Sequence, residues 1–74
     1  MNENILVEFD EVREVVIDDV PSGYHTGEVI ELPPGTHTIS LTGEKNFAPE
    51  ERDVTPSGTT PIQPLIVRFS RILP

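Results

Sequence analysis

The chain reads as an all-β domain, a small antiparallel β-sandwich of about six or seven short strands, and three observations carry that prediction. Apolar and polar residues alternate near both ends, from Ile5 and again from Leu65, with the period of two that sends successive side chains to opposite faces of a strand. Residues 29–41 place two more such runs on either side of Pro33-Pro34-Gly35, the one-dimensional form of an antiparallel strand pair with a short connection. Glycine or proline then recurs between every later apolar run. The paired prolines fix φ and remove two backbone donors, so the strand before them must stop, and Gly35 can supply the positive φ that a reversal often needs.

The elements follow in order. A first strand is expected over residues 4–10, with Ile5, Val7 and Phe9 inward and Asp10-Glu11 as the turn. A second covers 12–18 with Val15 and Ile17 facing the core, because Glu14 on the other face would be costly to bury unpaired. Residues 19–27 read as an irregular loop marked by Pro21, Ser22, Gly23 and Gly27, with Tyr24 as its one large anchoring group. The third strand spans 28–32 with Ile30 and Leu32 inward. The fourth spans 36–42, its His37, Ile39 and Leu41 opposed to Thr36, Thr38, Ser40 and Thr42, as a half-solvated sheet selects. Residues 43–49 form a second loop, with Phe47 a plug against the edge of the core. Around residues 49–52 a single helical turn competes with a strand over 51–55 centred on Val54. Two prolines exclude 59–64 from a central strand, and Leu65, Val67 and Phe69 form the inner face of the last one.

Seventy-four residues make one domain. A chain of that length buries only about 60% of its unfolded surface, so its core is thin. It has no cysteine, hence no disulfide, thiolate metal site or redox pair. A partner protein or a second copy is therefore a natural source of additional burial. A formal charge of −8 repels phosphate backbones and anionic lipid, which counts against nucleic acid, and acidity of this kind is a common route to solubility. No apolar run approaches the ~20 residues of a membrane helix, so no membrane insertion is expected. No signal peptide is visible after Met1. If Met1 is the natural start, the expected location is the cytoplasm; an excised domain would belong to a cell-envelope or extracellular protein.

Candidate chemistry is sparse. His37 alternates with Ile39 and Leu41, which predicts a rim histidine with one ring nitrogen hydrogen-bonded. His25 lies in the loop, twelve positions away in the sequence, without metal-ligand spacing. Asp18 and Asp19 beside Glu28, or Glu50, Glu51 and Asp53 in the later loop, offer oxygen ligands to calcium but lack the Asp-x-Asp-x-Asp-Gly pattern. Ser22, Ser40, Ser57 and Ser70 have no nucleophile elbow, and no glycine loop cradles phosphate. Neither an enzyme nor a cofactor is expected.

Val16-Ile17-Asp18-Asp19, Thr26-Gly27, the run from Ile30 through Pro33-Pro34-Gly35-Thr36-His37-Thr38 to Leu41, and Phe47-Ala48-Pro49-Glu50 together resemble the PEGA domain. The resemblance covers roughly residues 12–70. The Pro-x-Gly-Ala segment that names the family is absent, Asp19 stands where a turn glycine is usual, and Phe47 replaces the usual tyrosine. The resemblance implies a small β-sandwich akin to the carboxypeptidase regulatory-like and transthyretin-like domains, acting as a non-catalytic module of bacterial and archaeal surface proteins. It also favours the strand over 51–55.

The expected function is a non-catalytic structural or protein-interaction module that can self-associate through an exposed sheet edge. Ile66, Arg68, Ile72, Tyr24 and Phe47 are the candidate surface. The alternative is a module with weak affinity for calcium or carbohydrate, using the loops from Asp18 to Glu28 and from Asn46 to Asp53.

Overall fold

The alternating runs become two facing sheets in the computed structural model, which describes residues 2–72. One sheet holds β1 (Glu3–Glu8) between β4 (Val29–Leu32) and β8 (Leu65–Arg68). The other runs β3 (Val20–His25), β2 (Glu14–Ile17), β5 (His37–Leu41) and β7 (Arg52–Val54). A short ladder joins β6 (Phe47–Ala48) to β9 (Ser70–Arg71). Among the described residues there are thus nine strands and no helix, so the domain is all-β. The excess over six or seven comes from β3 and the two-residue pieces β6 and β9.

Ile5, Val7, Ile30 and Val67 from the first sheet meet Val15, Ile39, Leu41 and Val54 from the second in one dry cluster. Phe9, Ile17 and Leu65 pack against its margins. Pairing is antiparallel throughout except between β1 and β8, which run parallel. A local anchor accounts for that exception. Thr59 donates from its amide and its hydroxyl to the Glu3 carboxylate at 2.9 and 2.7 Å, and its Oγ accepts the Asn4 amide at 2.6 Å. The chain is thereby tied to the start of β1 shortly before β8 begins, and β8 continues alongside in the same direction.

The expected loop over 19–27 is instead largely the edge strand β3. Asp18 and Asp19 both have positive φ, 52° and 66°, which makes the two-residue reversal whose twist matches that of paired strands. Aspartate tolerates this conformation better than most side chains. Pro21 is permitted because β3 has a partner on one side only. The register shifts between Glu14 and Val16, where Gly23 at φ 82° takes the bend. Ser22 Oγ donates to the Val15 carbonyl at 2.6 Å and the Glu14 carboxylate accepts the Gly23 amide at 3.0 Å, so the irregularity leaves these groups paired.

Phe47 also departs from expectation. It is not a loop plug at the rim but one of the most buried side chains, 1% exposed. Its ring stands edge-on to Phe9 at 5.9 Å and to Phe69 at 5.6 Å between centroids. Arg13 and Arg71 place their guanidinium carbons 5.3 and 5.5 Å from the centre of the Phe9 ring. Arg71 forks onto Asp10 at 2.6 and 2.9 Å. Arg13 binds Glu11, the Thr42 carbonyl at 2.9 Å and Asn46 Oδ1 at 2.9 Å. This arginine and phenylalanine cluster closes one end of the sandwich.

Candidate functional site

Because Ile5 and Val7 face inward, alternation turns Leu6 to the outer face of β1. Register then decides its neighbours: Val29 of β4 on one side and Ile66 of β8 on the other. Three aliphatic side chains therefore form a row straight across the outer face of the three-stranded sheet, about 10 Å from the first strand to the last. Val29 is 43% exposed, Ile66 39%, and Leu6 is half-buried between them. Glu31, which accepts a hydrogen bond from Asn2 at 2.8 Å, lies next to the row on one side. On the other, Arg68 donates to Glu8 at 2.8 Å. Beyond that ion pair opens a shallow groove of about 520 Å³ whose lining includes Phe9, Phe69 and the exposed Val12.

The candidate surface residues scatter. Ile66 and Arg68 lie together on this outer face. Ile72 is exposed just past β9, its amide bonded to the Asn46 carbonyl at 2.9 Å. Tyr24 is exposed on β3, an edge of the other sheet. Phe47 is withdrawn from the surface altogether, buried in T-shaped contact with Phe9 and Phe69. The sequence does not reveal Leu6 and Val29 as surface neighbours, because only pairing register brings them together. The signal was the even-numbered position of Leu6 in a strand whose odd positions are core.

The loop acids do not gather into a ligand set. Asp18 and Glu28 lie beyond opposite ends of β3, a strand of six residues and so roughly 20 Å in length. Asp18 is engaged by Thr38 and His37, Glu28 accepts the His25 amide at 2.6 Å, and Asp53 accepts the Thr38 hydroxyl at 2.8 Å. Among the described residues no group of three or more histidines or acids is placed to hold a metal ion.

His37 sits at the end of the sandwich opposite the arginine cluster. Both ring nitrogens are engaged, not one: Nδ1 lies 2.8 Å from Asp18 Oδ2 and Nε2 lies 2.7 Å from the Pro33 carbonyl. The Thr38 amide donates to Asp18 Oδ1 at 2.9 Å, fixing the carboxylate. The Asp18 hydrogen bond, the Pro33 carbonyl and the Asp18 charge raise the His37 pKa above the ordinary histidine value, against a smaller effect of burial. The Thr38 amide and His37 lower the Asp18 pKa below its ordinary value.

No protein-family model, curated protein or solved structure matches this chain. Among the described residues no helix is long and apolar enough to cross a membrane.

Proposed function

We propose that this domain is a non-catalytic protein-interaction module that binds through the outer face of its three-stranded sheet. The observation that supports this is the in-register row Val29, Leu6 and Ile66, aliphatic side chains left facing water where alternation would ordinarily place polar ones. The occupant is a partner whose own apolar patch is bordered by lysine or arginine. Glu31 and Glu8 border the row at its two sides, Glu8 is shared with Arg68, and the chain as a whole carries −8. The same charge opposes the close approach of a second copy. The PEGA likeness, read from the turn residues and the strand from His37 to Leu41, points to a module of this non-catalytic kind; the family assignment is proposed on those residues.

A photo-crosslinking side chain placed at Ile66, and at Thr38 on the other sheet as control, tests the reading in source cells. The Ile66 position is expected to capture a basic protein that the Thr38 position does not. Titrated against that protein, the Leu6→Lys/Ile66→Lys variant should bind at least tenfold more weakly than the unchanged domain. Equal capture from both positions, or unchanged affinity in the variant, abandons this face. Light scattering that shows a dimer dispersed by Ile66→Lys would replace the basic partner with a second copy of the chain.

A further inference from the structure

His37 is held by two groups that can only accept. A carbonyl oxygen has no proton to give, and the Asp18 carboxylate already accepts the Thr38 amide on its other oxygen. Both imidazole nitrogens must therefore donate at once, which requires the protonated ring. The partners also belong to different parts of the fold. Asp18 begins the reversal between β2 and β3 in the four-stranded sheet, whereas Pro33 follows the last residue of β4 in the three-stranded one. Residues 33–36 are the crossover from one sheet to the other, and His37 is the first residue of β5 after it.

We propose that the His37 imidazolium is a proton-operated latch that fastens the crossover at residues 33–36 to the β2–β3 hairpin, and that loss of its proton frees the Pro33 side alone. The asymmetry follows from the two acceptors. When the ring loses one proton to water, the hydrogen on Nδ1 is retained, because it donates to the charged carboxylate, the stronger acceptor of the two. The Nε2 lone pair is then left facing the lone pairs of the Pro33 carbonyl at a separation of 2.7 Å, a contact that repels. Asp18 keeps its bond to Thr38, so the hairpin holds its place while the crossover relaxes away. The ring is 12% exposed, open enough for water to take the proton.

The other charged groups around this end make their hydrogen bonds away from the ring or lie beside it unbonded to it. Asp19 is the next residue of the reversal, but among the described residues the ring's hydrogen-bond partners are Asp18 and the Pro33 carbonyl. On β7, Asp53 binds the Thr38 hydroxyl, on the face of β5 away from His37, and Arg52 reaches to the Arg68 carbonyl at 3.3 Å. Glu3, across from Leu32 in the β1–β4 register, is bound to Thr59, and Glu31 is bound to Asn2. Asp18 is thus the charge that sets the proton on His37.

Long-range nitrogen–proton correlation of the histidine ring across a pH series tests the latch on the unmodified chain. At mildly acidic pH both His37 nitrogens should show attached protons. With rising pH the Nε2 proton should be lost first, and the Gly35 and Thr36 amide resonances should move with the same midpoint. The Asp18 and Thr38 amides should hold their positions through that step. Asp18→Asn should lower the midpoint, since the variant keeps an acceptor but removes the charge. A ring that is neutral at mildly acidic pH, loss of the Nδ1 proton first, or Gly35 and Thr36 signals indifferent to the His37 titration would each overturn the latch.

Discussion

The two ends of the sandwich perform the same mechanical task with different chemistry. At one end Arg13 and Arg71 flank the Phe9 ring and tie Asp10, Glu11, Asn46 and the Thr42 carbonyl together over buried Phe47. At the other, one histidine spans from Asp18 to Pro33 over the rim of the aliphatic cluster. Guanidinium carries its charge at every physiological pH, so the first closure is permanent. Imidazolium does not, so the second is conditional. A thin all-β domain without disulfides therefore has a fixed end and an adjustable one, and the crossover between sheets lies at the adjustable end.

The largest expected effect falls on the fixed end. Phe47→Ala removes a fully buried ring with two edge-on partners and should cost about 3–5 kcal/mol, a large share of what so small a domain has. Urea denaturation at constant pH measures it; a loss under 1 kcal/mol would mean that this end does not hold the fold. Gly43→Ala comes next. The residue has φ 91°, and an added Cβ would lie 2.9 Å from Arg13 Nη1, so backbone strain and displacement of the guanidinium act together. A loss of more than about 1 kcal/mol is expected, and additivity with Arg13→Ala would show that displacing the arginine is not its cause.

The conditional end is separated from the fixed one by pH. A raised His37 pKa means that its stabilisation is complete below the ordinary histidine value of about 6.5 and is lost as pH rises through the raised one. A lowered Asp18 pKa means that its share is present above about 3.9 and is lost as pH falls through the lowered one. Asp10 and Glu11 at the arginine end are lowered by Arg71 and Arg13 respectively, so that end responds on the acid side only. The alkaline loss should be the net worth of about one hydrogen bond, 0.5–1.5 kcal/mol. Denaturation midpoints taken from mildly acidic to mildly alkaline pH should show it in the unchanged chain and in Gly43→Ala, and should be flat in His37→Asn. A slope that survives in His37→Asn would assign the alkaline loss to another group.

What the sequence displayed and what it withheld follow the range of the interactions involved. Alternation identified the inner faces of β1, β4, β5 and β8, because period two is a local property that each strand carries in its own residues. It concealed β3, where Pro21 and Gly23 carry loop signals that an edge strand with a bulge tolerates. Phe47 sits among turn residues, and only the ladder to β9 brings it under Phe9 and Phe69. The row of Val29, Leu6 and Ile66 is hidden for the same reason, since residues 23 and 60 positions from Leu6 meet through register alone. His37 was legible as a rim residue, but its second partner was not, because a backbone carbonyl leaves no mark on the sequence.

The smallest effect tests whether the outer face belongs to either end. Arg68 and Glu8 form an ion pair 2.8 Å apart, with side chains 75% and 43% exposed, and solvent screens most of their attraction. Arg68→Ala should therefore change stability by no more than about 0.5 kcal/mol, whatever the pH or salt of the denaturation series. That near-neutrality has a positive use. A residue that contributes so little to folding, placed between an apolar row and a groove containing Phe9 and Phe69, is where a change in binding can be read without a change in the fold. If Arg68→Ala instead cost as much as Gly43→Ala, the outer face would be part of the fixed end. Its aliphatic row would then have to be explained by stability before any partner.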